Sequence, residues 1–118
     1  MQANLLQAAK DVANALDQKF GKDIVILDIS EISTIADYFI ITEASNPNQV
    51  QAMVTGVEDV MGKHSIPLRH IEGIQRADWV LMDFGDVLVH IFDEESRRFY
   101  DLERTWRDAH RINEMAVN

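Results

Sequence analysis

Residues 79–92 read WVLMDFGDVLVHIF, and this stretch decides the fold. It consists of two mostly apolar runs, residues 79–84 and 87–92, joined only by Gly85 and Asp86. Short runs rich in Val, Ile, Phe and Trp favour strands. Because so few residues separate the two strands, they can pair only as an antiparallel hairpin.

Side chains of the first hairpin strand alternate between the two faces of the sheet. Large apolar groups fall on both faces, so one face meets the core and the other needs a cover. The cover is a helix of the same chain, a second copy or a partner protein, and the sequence leaves these three open. One face carries Trp79, Leu81 and Asp83, and the other carries Val80, Met82 and Phe84.

Upstream of the hairpin, the sequence predicts a helix and two buried strands. Apolar residues recur at spacings of three and four over residues 5–20, which indicates an amphipathic helix with Asn4 as its cap. Residues 23–30 (DIVILDIS) and 38–42 (YFIIT) are short, branched and apolar, which favours strands buried on both faces. The direction in which these two strands pair stays open.

A second helix is predicted between these strands and the hairpin. Asn46 can cap it, Pro47 suits its first position, and its apolar stripe runs on to Gly62. The other predicted elements are a short strand at residues 68–71, a turn at Glu72 and Gly73, and helical segments at residues 96–102 and 103–116.

This order of elements predicts a single α/β domain spanning residues 1–118. Its centre is a mixed sheet of about five strands, flanked by helices. No repeat, low-complexity tract or Pro/Gly-rich linker marks an internal boundary.

The composition narrows the classes of function. The 118 residues include 11 basic and 20 acidic side chains, for a net charge of −9, and no cysteine. Extended nucleic-acid binding needs Lys and Arg to neutralise phosphates, so we expect little direct nucleic-acid contact. An acidic surface suits a basic protein partner, although it also serves solubility alone. No apolar run reaches the ~18 residues of a membrane helix and the first residues lack a signal-peptide pattern, so we expect a cytoplasmic protein without membrane contact.

The densest polar cluster lies on the hairpin and comprises Asp78, Asp83, Asp86 and His90. Paired carboxylates can hold Mg²⁺ or act as acid and base, so a metal-dependent site on the hairpin is one hypothesis. Asp83 and Asp86 need not converge across a tight turn, however, and a turn role is the simpler interpretation. The apolar run around His90 is typical of a hydrogen-bonded core or edge histidine. We therefore expect no catalytic residue, metal or cofactor.

Several segments together resemble the Iojap or ribosomal silencing factor family, over about residues 5–109. The most specific part is the tryptophan-led hairpin followed closely by FYDLE and by Trp106. The segments that carry the resemblance are DIVILDIS at 23–30, ADYFIIT at 36–42, SNPNQV at 45–50, Glu72-Gly73, WVLMDFGDVLVHIF at 79–92 and RFYDLERTWRDA at 98–109.

Two places depart from a frequent pattern of that family. Glu43 and Ala44 stand where many members have Thr-Gly, and Ala77 stands where glycine is frequent. If the family's backbone needs glycine at these positions, we expect this chain to differ from such members there.

The resemblance implies a fold with a nucleotidyltransferase-like outline but without that chemistry. That outline, taken with Asp83, Asp86 and His90, leaves a metal-dependent nucleotidyltransferase-like enzyme as an alternative hypothesis. It implies binding to the large ribosomal subunit through that subunit's ribosomal protein number fourteen (uL-fourteen). The bound protein would sterically block joining with the small subunit and repress translation when nutrients are scarce. The resemblance also implies a tendency to form homodimers.

An acidic domain with an aromatic hairpin and no convincing catalytic set fits docking onto a basic ribosomal protein. Trp79 and Met82 would supply desolvated area, and Asp83 and Asp86 would meet basic side chains or backbone donors. A homodimeric scaffold with another basic protein partner is the remaining alternative. The expected contact residues are Trp79, Met82, Asp83, Phe84 and Asp86, with Tyr100 and Glu103 behind them.

Overall fold

The structure, a computed structural model, describes residues 4–112. Its helices are α1 (Leu5–Gln18), α2 (Pro47–Lys63), α3 (Glu94–Tyr100) and α4 (Leu102–Thr105). Its strands are β1 (Lys22–Asp28), β2 (Tyr38–Glu43), β3 (His70–Glu72), β4 (Trp79–Asp83), β5 (Val87–Phe92) and β6 (His110–Ile112). Within this range no helix is long and apolar enough to cross a bilayer.

The strands form one mixed sheet in the order β3-β4-β5-β2-β1-β6. Central strands β2 and β5 run parallel, and each other neighbouring pair is antiparallel. The predicted hairpin is confirmed, with Trp79 of β4 opposite Phe92 of β5. The first two strands, whose direction the sequence left open, pair antiparallel. The α/β class and the mixed sheet are therefore as predicted, with one strand more than the five expected.

Both long helices begin where the sequence predicts. The side chain of Asn4 accepts a hydrogen bond from the Gln7 backbone N–H, and Asn46 accepts one from Gln49, with Pro47 in the first turn. Both helices pack on the same face of the sheet and bury the main core against it. Each large apolar side chain buried there contributes about 1.5–3 kcal/mol.

The opposite face of the sheet has a smaller core and a thinner cover. Buried residues there include Phe39, Ile41 and Phe92, and the C-terminal segment packs on them through Leu102 and Trp106. The two faces are thus covered unequally, which leaves room for surface rings beside β4.

The chain after Tyr100 differs from the helix predicted over residues 103–116. Asp101 has a left-handed backbone (φ 46°), so α3 ends there and α4 is a single turn. The chain then extends as β6 along the edge of β1, with Ile112 opposite Ile26. Pairing with this open edge overrides the helical spacing of the sequence. The end of the predicted helix, residues 113–116, lies outside the described residues.

Three smaller boundaries also differ from the prediction. Helix α1 ends at Gln18, and Phe20 lies beyond it, 83% exposed, rather than on the helix's apolar face. Helix α3 begins two residues earlier than predicted, because the Asp93 side chain caps it by accepting from the Ser96 N–H. The short strand predicted at residues 68–71 forms instead at His70–Glu72.

The two departures from the family's glycine pattern have different structural consequences. Ala77 has a φ of 59°, in the left-handed region that favours glycine. Ala44 is buried and is not among the described residues with positive φ. Of these two alanines, only Ala77 therefore has a strained backbone whose strain a glycine would remove.

Candidate protein-docking surface

The less covered face of the sheet carries an aromatic surface, which we define as Trp79, Phe99 and Tyr100. The ring centroids of Trp79 and Tyr100 lie 4.4 Å apart, and those of Tyr100 and Phe99 lie 5.0 Å apart with perpendicular planes. Phe99 is 78% exposed and Tyr100 is 46% exposed, whereas Trp79 is half-buried. Contiguous exposed rings of this kind mark surfaces that contact other proteins.

Trp79 is fixed at the start of β4 by its neighbours. Its ring stacks on that of Phe92, 5.0 Å away, which is its partner across the hairpin. The backbone of Gly73 (φ 85°) approaches it so closely that a Cβ there would collide with the Trp79 carbonyl oxygen. The turn before β4 therefore needs glycine at position 73, where the chain passes close to the backbone of Trp79.

Phe99 and Tyr100 are held in place through Arg97 on the same short helix. The guanidinium of Arg97 is buried and donates to the backbone carbonyls of Lys22 (3.2 Å) and Asp23 (2.7 Å). It also donates to the Glu103 carboxylate at 2.9 Å and lies 3.6 Å from the carboxylate of Glu43. This cluster, which we call the Arg97 clamp, ties α3 and α4 to the edge of β1.

Below the aromatic surface, His90 of β5 is buried at 4% exposure. The indole N–H of Trp79 donates to His90 Nδ1 at 3.1 Å. Burial lowers the pKa of His90 to about 4, so the ring is neutral near pH 7. The prediction of a hydrogen-bonded core histidine is confirmed.

Asp83 and Asp86 lie at the far end of the hairpin from Trp79. The Asp83 carboxylate accepts from the Gly85 N–H at 2.7 Å, and Gly85 has a φ of 92°. Asp86 is exposed, and its carbonyl accepts from the N–H groups of Asp37 and Tyr38. Both residues therefore serve the turn, as the simpler interpretation holds. Along β4, Asp83 lies roughly 13 Å from Trp79, given about 3.3 Å per residue.

The structure separates the predicted contact residues into two groups. Met82 is fully buried and Phe84 is 4% exposed, and both belong to the core beneath α1 and α2. The expectation that Met82 and Phe84 contact a partner is therefore wrong, because strand alternation directs their side chains away from the open face. Glu103 is engaged by the Arg97 clamp. The residues left at the surface are Trp79, Asp83, Asp86 and Tyr100.

The hairpin residues considered for metal chemistry do not form a common site. His90 lies opposite Leu81, and its Nδ1 is occupied by the indole of Trp79. Over residues 4–112, no three His, Asp or Glu side chains are grouped so as to hold a metal ion. The geometry gives the nucleotidyltransferase hypothesis no support.

Two features of this surface escaped the sequence interpretation. Phe99 is the most exposed of its rings, yet in sequence it is only one of two neighbouring aromatics in a helix. Arg97 follows Ser96 and precedes Arg98, and nothing in that context distinguishes it as buried. Two adjacent aromatics on a seven-residue helix were a usable signal, since so short a helix cannot bury both sides.

The fold and the surface together define a class of protein. It is a small α/β domain whose distinguishing feature is an exposed aromatic surface on a half-covered sheet, rather than a cluster of convergent catalytic groups.

Comparison with known proteins identifies the family within that class. The sequence model of the family described as "Ribosomal silencing factor during starvation" matches residues 2–118. The chain is 42% identical to the ribosomal silencing factor RsfS of Bacillus subtilis over 100 residues, which cover 85% of each protein. It is 31% identical over 99 residues to the mouse "Mitochondrial assembly of ribosomal large subunit protein 1", covering 80% of this chain and 43% of that protein. A crystal structure of a Chromobacterium violaceum protein superposes with a TM-score of 0.83 at 29% identity, covering 100% of this chain and 95% of that one. The chain belongs to the family of ribosomal silencing factors.

Proposed function

We propose that this protein binds the large ribosomal subunit through its aromatic surface and blocks joining with the small subunit. Its immediate partner in this proposal is ribosomal protein uL-fourteen, and the result is repression of translation under nutrient limitation. The observation that carries the proposal is the exposed set of rings on the less covered face of the sheet.

The aromatic surface has the physical character of a binding anchor. Phe99 and Tyr100 expose apolar area that water solvates poorly, and Trp79 stands beneath them on a rigid strand. Aromatic side chains dominate the binding energy of many protein interfaces. Because β4 and the Arg97 clamp fix the backbone that carries these rings, docking needs little ordering of the main chain.

The overall charge of the chain favours a basic partner. Beside Phe99, Glu94 is paired with Arg98 and Glu95 is exposed, and the whole chain carries a net charge of −9. Asp83 and Asp86 add negative charge at the other end of the hairpin. Electrostatic attraction of this kind raises the rate at which a basic ribosomal protein is captured.

The large subunit as target is supported by the names of relatives. The mouse relative is named for assembly of the ribosomal large subunit, and the family is named for silencing of the ribosome. A domain of this size, seated where the two subunits meet, obstructs their contact without any chemical step. We accordingly propose a non-catalytic mode of action, in the cytoplasm, with no metal or cofactor.

Self-association through the same rings is a further part of the proposal. Phe99 and Tyr100 would be covered by a second copy in the absence of the ribosome, and the homodimer would compete with docking. Sedimentation equilibrium tests this, since Phe99→Ala is expected to shift the protein toward monomer.

A pair of matched phenylalanine variants tests the docking site. Phe99→Ala should weaken co-sedimentation with purified large subunits about tenfold or more, because a buried ring lost from an interface costs about 2 kcal/mol. Phe20→Ala is the control, since Phe20 is similarly exposed but lies in the turn between α1 and β1. Equal binding by both variants would contradict the proposed surface.

A further inference from the structure

The buried ring of His90 lies within the cluster of aromatic residues that supports Trp79. Its centroid lies 4.8 Å from that of Phe39 and 6.2 Å from that of Phe92. Its one hydrogen bond to the described residues is the one it accepts from the Trp79 indole, at Nδ1. His90 is only 4% exposed, so it acts on a partner through its neighbours, and Trp79 is the neighbour to which it is hydrogen-bonded.

The hydrogen bond fixes the tautomer of His90. Since Nδ1 accepts, the single proton of the neutral ring is on Nε2. Nε2 is buried and has no hydrogen-bond partner in the described part of the chain. An unpaired buried donor costs about 1–3 kcal/mol, a cost that an apolar side chain of similar volume would avoid.

Ring packing and the hydrogen bond to His90 both act on the orientation of the Trp79 side chain. The rings of Phe92 and Tyr100 contact the indole at centroid distances of 5.0 and 4.4 Å and restrict its plane. A half-turn about the Cβ–Cγ bond would keep roughly the same plane while reversing which edge of the indole faces inward. The acceptor at His90 Nδ1 selects the orientation with Nε1 inward.

We infer that His90 is a positioning residue, whose Nδ1 sets the orientation in which Trp79 is presented to the ribosomal partner. The inference rests on the proposed function, because it takes Trp79 as part of the docking surface. The inference gives His90 a role in binding the partner and not in stabilising the fold. The neutral state required of His90 near pH 7 agrees with the lowering of its pKa by burial.

Two variants of the full chain separate positioning from packing. His90→Leu keeps an apolar volume but removes the acceptor, and His90→Asn keeps an acceptor near the position of Nδ1. His70→Asn is the control, because His70 is exposed on β3 and pairs with Glu72.

The first measurement is the indole N–H signal of Trp79 in a ¹H–¹⁵N NMR spectrum. The chain has two tryptophans, so a Trp106→Phe variant assigns the signals. We expect the Trp79 indole N–H to exchange slowly with solvent in the wild type and in His90→Asn. In His90→Leu we expect at least a tenfold faster exchange.

The second measurement is binding to purified large subunits, read beside thermal unfolding. His90→Leu should unfold at the same or a higher temperature than the wild type, yet bind about five- to tenfold more weakly, as the loss of one oriented hydrogen bond allows. His90→Asn should restore binding to within about twofold, and His70→Asn should match the wild type.

The outcomes distinguish the two proposals. Unchanged binding by His90→Leu, or an indole N–H that exchanges equally fast with and without His90, would overturn the positioning role. Failure of the wild type itself to bind large subunits would overturn the proposed function, and the role of His90 in binding with it. In that case the NMR exchange rates still decide whether His90 orients the indole.

Discussion

At the scale of single residues, Ala77 has a backbone conformation that its side chain disfavours. Its φ of 59° is left-handed, and this conformation costs a residue with a Cβ about 1–2 kcal/mol. Ala77→Gly should therefore raise the free energy of unfolding by about 0.5–1 kcal/mol, once the greater entropy of the unfolded glycine chain is subtracted. Urea unfolding measures the change.

Ala44 supplies the matched control for that prediction. It is 4% exposed and is not among the described residues with positive φ. Ala44→Gly should therefore lower the free energy of unfolding by about 1 kcal/mol, through lost burial and added chain entropy. A destabilising Ala77→Gly would show that the left-handed strain at residue 77 is not the controlling factor.

The pKa of His90 predicts a dependence of stability on pH. Its folded pKa of about 4 is below the usual value of 6.5, so between these values the unfolded chain binds the extra proton. Stability therefore falls as the pH drops from about 6.5 to about 4, by about 3 kcal/mol from this residue, and no further below that. The measurement is urea unfolding across pH, with His90→Leu as reference. If both proteins lost stability equally over this window, His90 would not be the group responsible.

Residue-level predictions from sequence succeeded where strand alternation decides the outcome. Alternation along β4 correctly separated Trp79 from Met82, and the apolar run correctly indicated a core histidine. It did not identify Met82 and Phe84 as inaccessible, because the sequence does not show which face the helices cover. The hydrogen bond between Trp79 and His90 depends on the orientations of both side chains in the folded sheet, which the sequence does not show.

At the scale of elements, the Arg97 clamp attaches the C-terminal segment to the sheet. Arg97→Met should lower the free energy of unfolding by about 3 kcal/mol, because it leaves two backbone carbonyls and the carboxylate of Glu103 without their donor and removes the ion pair with Glu43. Arg97→Lys should recover little of this loss, since an ammonium cannot reproduce the planar set of guanidinium donors. Chemical denaturation provides the measurement.

The neighbouring Arg98 is the control for the clamp. It pairs with Glu94 on the surface of α3, at 3.0 Å, with its side chain 79% exposed. An exposed pair contributes at most about 0.5 kcal/mol, so Arg98→Met should change stability little. Similar losses in the two Met variants would show that burial of Arg97 is not what makes it important.

Elements whose signals are local were predicted well, and those set by tertiary contacts were not. Asn4, Asn46 and Pro47 define helix starts by themselves. Strand β6 forms because β1 offers an unpaired edge, which the helix-like spacing of the C-terminal segment cannot reveal. The clamp likewise joins residues 22, 23, 43, 97 and 103, which only the folded sheet brings together.

At the scale of the whole molecule, the unequal cover of the sheet connects fold to function. Helices α1 and α2 close one face, whereas the other is covered by the connector between β1 and β2 and by the short C-terminal segment, and it leaves its rings partly exposed. A compact domain with a net charge of −9 and a cluster of exposed rings at Trp79, Phe99 and Tyr100 suits binding to a basic protein and obstruction by its own bulk. Membership of the ribosomal silencing factor family links this aromatic surface to a role at the ribosome.

The most direct test is a subunit-joining assay with purified large and small ribosomal subunits, followed by light scattering. With the protein in excess over large subunits, we predict that the scattering increase that accompanies joining is slowed and reduced. Phe99→Ala should restore most of the increase, and Phe20→Ala should inhibit like the wild type. Joining at the same rate and to the same extent with and without excess protein would contradict the account.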